Sequence, residues 1–192
     1  MKRTITLLVV ALLALTSIAI GQDEADYKKT EENMVMMATP GEHHEHLAML
    51  AGDYTYKAKA WMAPGQPPME WEGERSAKMI LGGRYLQEMV SGSMMGQPFE
   101  GIGMLAYDNM NERYVHTWYD NLATGVTTSY GACSKEDGWT LKGEHFNPMV
   151  GQNTNFRMVL KPGEDGFVFE WYEAIPGAEE RRTMEITYTK KG

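Results

Sequence analysis

One cysteine in 192 residues, Cys133, rules out any disulfide within the chain, so packing alone must hold the fold. Positive charge is scarce as well: 18 Lys and Arg stand against 26 Asp and Glu, for a formal net charge of −8. Such a chain repels phosphate backbones and anionic lipid, which argues against nucleic acid and membrane surfaces as partners. The elbow Gly-X-Ser-X-Gly does not occur, Cys133 in YGACSK has no base at fixed spacing, and glycine-rich stretches such as GIG at 101–103 precede no helix. Nucleophilic catalysis and phosphate cradling therefore lack their signatures. Beyond residue 20 no apolar run is long enough to span a bilayer.

The apolar run that does exist is N-terminal. Lys2 and Arg3 precede an almost wholly apolar stretch from Thr4 to Ile20, with small residues at Ala19 and Gly21. This is the pattern of an export signal over residues 1–21, and it places the mature chain, beginning near Gln22, in the periplasm or outside the cell. No cysteine follows the expected cut, so a lipid anchor is not indicated and no membrane association is expected after cleavage. Without Lys2 and Arg3, 16 basic residues face 26 acidic ones, a net charge of −10. Residues 22–38 (QDEADYKKTEENMVMMA) are polar and then Met-rich without sustained periodicity, which reads as a mobile leader. Residues 39–192 read as one domain.

That domain opens with a helix signal. In TPGE, Thr39 suits an N-cap, Pro40 the first helical position and Glu42 a capping box, and Gly52 marks a stop. Between them His43, His46, Leu47 and Leu50 share a face, whereas His44 points elsewhere. HHEH at 43–46 raises the question of zinc, but an i,i+3 pair supplies two ligands where zinc needs three or four. The reading is a capped helix closing one end of the domain, with no cofactor called for. Copper is the sharper metal alternative, because Met34, Met36 and Met37 offer soft thioethers near His43 and His46. Methionine is also an adaptable core filler.

From Asp53 onward the pattern becomes short alternating runs separated by turn residues such as APGQPP, GG, MMGQP, DNMNE and KPGEDG. Ten strands are expected, near 53–61, 69–81, 84–92, 99–108, 113–120, 126–134, 139–146, 153–160, 167–173 and 181–189. No helical stretch divides them, so the fold class is all-β: an antiparallel up-and-down meander, closed into a barrel to remove its edges. The short helix leading to GDY at 52–54 and the meander after it resemble the calycin superfamily of lipocalin-like barrels, with Tyr54 standing where those strands carry tryptophan. MILGGRYL, MGQPFEG, YDN and TWYD are similar to the bacterial family of domains of unknown function 1579, over about residues 42–190. That resemblance implies a domain and no catalytic residue.

A two-residue Gly82-Gly83 turn would pair Arg75 with Val90, Ala77 with Glu88 and Met79 with Leu86. Glu70, Glu72, Glu74 and Lys78 mark the other face as solvent, so Arg75 and Glu88 look inward on neighbouring strands. Carried through the next two hairpins, the register pairs Glu88 with Gly103, Leu105 with His116 and Gly103 with Trp118. Arg75, Glu88, His116 and Trp118 then share one interior wall. The corresponding outer face holds Ile102, Met104, Val115 and Tyr119, which is apolar for an exposed surface, and a one-residue slip would expel His116. Later strands add Phe156, Met158, Phe169, Trp171 and Ile186 to the interior at period two.

An aromatic, Met-rich interior with a few polar groups on one wall has the composition of a small-molecule pocket. The expected ligand is a small apolar or amphipathic molecule with a polar or anionic group, oriented by Arg75, Glu88 and His116 between walls formed by Trp118 and Trp171. The rival readings are an acid-base enzyme using Glu88 and His116, the copper protein, and a filled barrel whose outer apolar strip meets a partner. Arg75 with Glu88 is equally what a self-satisfied internal ion pair would look like, and His116 what a core histidine would.

Overall fold

A computed structural model describes residues 24–134, 137–174 and 177–192. The export signal read over residues 1–21 lies outside them. Residues 22–38, read as a mobile leader, carry a helix, α1, over Glu24–Ala38. Ala, Glu, Lys and Met are strong helix formers. The segment has no continuous apolar stripe, so hydrophobic periodicity could not reveal a helix that rests on propensity. No helix among the described residues is long and apolar enough to cross a membrane.

The unit spanning Thr39–Gly192 begins with α2, Glu42–Ala48. Its start differs from the expected one. Gly41 is the N-cap: its carbonyl accepts the His44 N–H at 2.9 Å, and its own N–H donates to His44 Nδ1 at 3.0 Å. An imidazole thus performs the task expected of Glu42. The helix ends at Ala48, four residues before Gly52, which opens the first strand at φ 130°. His44, placed off the buried face by the i,i+3 pattern, is buried along with Leu47. A cap residue is oriented by the chain entering the helix, so helical spacing alone does not decide which way it faces.

Ten strands follow: β1 Gly52–Ala60, β2 Met69–Ile80, β3 Tyr85–Met94, β4 Gln97–Asp108, β5 Arg113–Asp120, β6 Thr127–Ser134, β7 Gly138–Asn147, β8 Gln152–Gly163, β9 Gly166–Ala174 and β10 Arg181–Lys190. Each is antiparallel to its neighbour in sequence, and β1 closes on β10. The result is a closed up-and-down barrel. The turn read as two-residue Gly82-Gly83 is a four-residue loop, in which Leu81, Gly82 and Gly83 all have positive φ and Ile80 pairs with Tyr85. One residue leaves each strand, so parity is kept, and Arg75 still faces Val90 and Ala77 still faces Glu88. The next hairpin is tighter than expected: Met94 pairs with Gln97 across Met95-Gly96, both at positive φ as a type I′ turn requires. Glu88 opposite Gly103, Leu105 opposite His116 and Gly103 opposite Trp118 all occur.

Leu47 and Leu50 are buried against the barrel, where α2 packs on β2, β3 and β4. They form a floor at the end where the β2–β3 and β4–β5 turns lie. On the outer wall no slip occurs. Met89, Ile102 and Tyr119 stand side by side in register and remain exposed.

Candidate functional site

The barrel encloses a cavity of about 430 Å³. Leu50 lines its floor, and Met62, Leu122 and Met149, all exposed, line its far end, so the lumen meets solvent opposite α2. Its walls carry Trp71, Phe99, Trp118, Phe167, Phe169 and Trp171.

Alternation along β2, β3 and β5 brings Arg75, Glu88 and His116 together inside. Arg75 is 3% exposed. Its Nε donates to Glu88 Oε2 at 2.6 Å and its Nη1 to the Leu50 carbonyl at 2.9 Å, tying the wall to the floor. The rings of Tyr54, Phe167 and Tyr188 lie 5.1–5.7 Å from the guanidinium carbon, close enough for cation–π contact. Burial pushes the Glu88 carboxyl towards its neutral form, but the Arg75 charge and the His116 imidazole outweigh it and hold the pKa at about 2. Glu88 is therefore ionised at neutral pH and can only accept. His116 Nε2, 3.3 Å from Glu88 Oε1, must then carry its hydrogen.

Two glycines of β4 make this arrangement possible. A Cβ at Gly103 would lie 2.3 Å from Glu88 Oε1, and one at Gly101 would lie 2.2 Å from the Trp118 ring. The Glu88 carboxylate reaches from β3 to His116 on β5 across a residue that has no side chain. Trp118 stacks beside His116 at 6.4 Å, and its indole N–H donates to Asp120 at 2.8 Å. Trp171 stacks on Phe156 at 3.9 Å on the β8–β9 wall. All five residues singled out from the sequence, Arg75, Glu88, His116, Trp118 and Trp171, line the one cavity. The first three touch, and Trp171 belongs to a different cluster.

That second cluster went unread in the sequence. His145 Nε2 lies 2.6 Å from Glu173 Oε1, and the Asn147 amide donates to the same oxygen at 3.3 Å. The bond from His145, opposed by burial, holds the Glu173 carboxyl below the usual carboxylate range. The signal was present: His145 and Glu173 fall on the inward phase of β7 and β9. Their strands were too far from the Gly82-Gly83 turn for its register to reach them. Tyr56 also lines the cavity, its hydroxyl near the Trp71 indole.

The HHEH histidines have structural partners. His43 stacks on Tyr107 at 3.9 Å, and the Nδ1 atoms of His43 and His46 lie 3.0 and 3.5 Å from the Tyr114 hydroxyl. Burial and the neighbouring His43 and Arg84 lower the His44 pKa, in keeping with its Nδ1 accepting from Gly41. Burial pushes the Cys133 thiol up, which keeps it protonated and a poor nucleophile.

Fold and interior together define a class: a closed antiparallel barrel with a helical floor and a solvent-reaching lumen, an architecture that suggests the calycin superfamily. The chain belongs to the family described as protein of unknown function DUF1579, whose model matches residues 39–190. No curated protein matches the chain.

Proposed function

We propose that this is an exported binding protein that takes one small, largely apolar molecule into the barrel through the end opposite α2. Apolar burial supplies affinity. The Arg75, Glu88 and His116 cluster orients a polar group, with Trp118 and Trp171 as walls. The observation that carries this reading is a lumen of about 430 Å³, within the range of small-molecule sites, that is lined by aromatic rings yet holds buried charge. A barrel kept only for its fold gains nothing from leaving such a volume unpacked. Export rests on the charged start and apolar run of the first 21 residues.

The charges favour a neutral polar group over an anion. Arg75 and Arg181 line the lumen against Glu88, Asp120 and Glu173. Its histidines aside, the lining carries a formal charge of −1, and the Arg75 charge is already met by Glu88. In the rival acid-base reading Glu88 is ionised at neutral pH and takes the part of base or orients His116.

Titration with 4-hydroxybiphenyl and with biphenyl, followed by quenching of the lumen tryptophans, tests the reading. Saturable one-to-one binding is expected, with the hydroxylated probe about tenfold tighter, as one hydrogen bond of about 1.4 kcal/mol implies. Absence of saturable binding by either probe sinks it.

A further inference from the structure

The two histidines inside the barrel are held alike. His116 Nε2 lies 3.3 Å from Glu88 Oε1, and His145 Nε2 lies 2.6 Å from Glu173 Oε1. Each pair spans one intervening strand: Glu88 on β3 reaches across β4 to His116 on β5, and His145 on β7 reaches across β8 to Glu173 on β9. An ionised carboxylate only accepts, so each imidazole places an N–H at Nε2 and leaves Nδ1 for a further hydrogen bond. Neither Nδ1 has a hydrogen-bond partner among the described residues, and neither is among the fully buried polar atoms lacking one. Each imidazole thus offers Nδ1 for a hydrogen bond with something in the lumen that both residues line.

The two pairs also face each other. Around the closed barrel, β4, under the first pair, and β8, under the second, are four strands apart one way and six the other. They differ in depth as well. Glu88 lies three residues into β3 from the floor end, whereas His145 lies two residues from the open-end terminus of β7. A line between them runs obliquely through the lumen, past Trp118 near one end and Trp171 near the other.

Resting on the small-molecule reading above, we infer that the ligand is a flat, uncharged, largely apolar molecule with a hydroxyl at each end. One hydroxyl meets His116 Nδ1 and the other His145 Nδ1, and a hydroxyl can donate or accept at either. A molecule with one polar end would leave the second Nδ1 against apolar surface. The aromatic walls between the stations suit a planar body: Trp171 stacks on Phe156, and Trp118 stacks near Phe99 and His116.

The test compares biphenyl, 4-hydroxybiphenyl, 4,4′-dihydroxybiphenyl and the longer 4,4′-dihydroxystilbene, by tryptophan quenching and calorimetry on the same protein. At least one diol is expected to bind about tenfold tighter than 4-hydroxybiphenyl, the value of one further hydrogen bond. His145→Gln keeps an amide nitrogen where Nε2 meets Glu173 and removes Nδ1. On that variant the diol and the mono-hydroxylated probe should bind with the same affinity. If both diols bind no tighter than 4-hydroxybiphenyl to the unsubstituted protein, the two-ended ligand is wrong while the binding reading stands. If no probe binds, both fall. Because the wild-type series decides the matter, the proposal stays testable even if His145→Gln does not fold.

Discussion

At the scale of single residues, the site depends on side chains that are missing as much as on those present. Glu88 can lie against His116 only because Gly103 has no Cβ. Gly103→Ala should therefore displace the carboxylate from both partners and cost about 1–3 kcal/mol, the usual range for forcing extra volume into a packed interior. Gly125→Ala, where an added Cβ meets nothing within 4 Å, should leave stability almost unchanged. Urea denaturation of the two variants checks this, and equal stabilities would show that the platform is unimportant. Arg75 is a poor target for a selectivity experiment despite facing inward. Removing it strands the Glu88 carboxylate in the lumen and frees the Leu50 carbonyl, so loss of fold would mask any change in binding.

At the scale of elements, α2 is a short helix held by what it covers. Seven residues are too few to be stable alone, and its hold on the barrel comes from Leu47 and Leu50, the Arg75 bond to the Leu50 carbonyl and the imidazole contacts with Tyr107 and Tyr114. Leu47→Ala should cost about 2–5 kcal/mol, since the side chain is wholly buried and the floor cannot collapse into the space. Met149→Ala at the open end, two-thirds exposed, should change stability by less than about 0.5 kcal/mol. Thermal melts of the pair measure the contrast, and similar midpoints would mean that α2 is not a structural floor.

At the scale of the whole molecule, acid should weaken the fold partly through one buried group. The Glu88 pKa is depressed to about 2, so its contribution to stability is complete above its ordinary value of 4.5 and is lost as pH falls from there towards 2. Its size is on the order of 3 kcal/mol, from 1.36 kcal/mol per pKa unit. Comparing unfolding free energies of the wild type and Glu88→Gln between pH 5 and 2 isolates it: the wild type should lose more stability over that window. Parallel curves would contradict the burial and pairing described for Glu88.

Much of this barrel was legible before any coordinates, because period-two alternation and turn residues are local properties and ten antiparallel strands joined by short turns leave little topological choice. The glycine corner after β2 carried strand phase through β5, even with its loop length misread, because one residue dropped from each side preserves parity; Arg75, Glu88, His116 and Trp118 followed from that. Helix α1 was hidden because propensity without an apolar stripe leaves no periodic trace, and His44 was misplaced because a cap obeys the incoming chain and not the helix repeat. What only closure of the sheet decided was the meeting of distant walls. The pairing of His145 with Glu173, the bond from Arg75 to the Leu50 carbonyl and the open lumen all join residues whose relation depends on the curvature and stagger of the whole barrel, which no short stretch of sequence encodes.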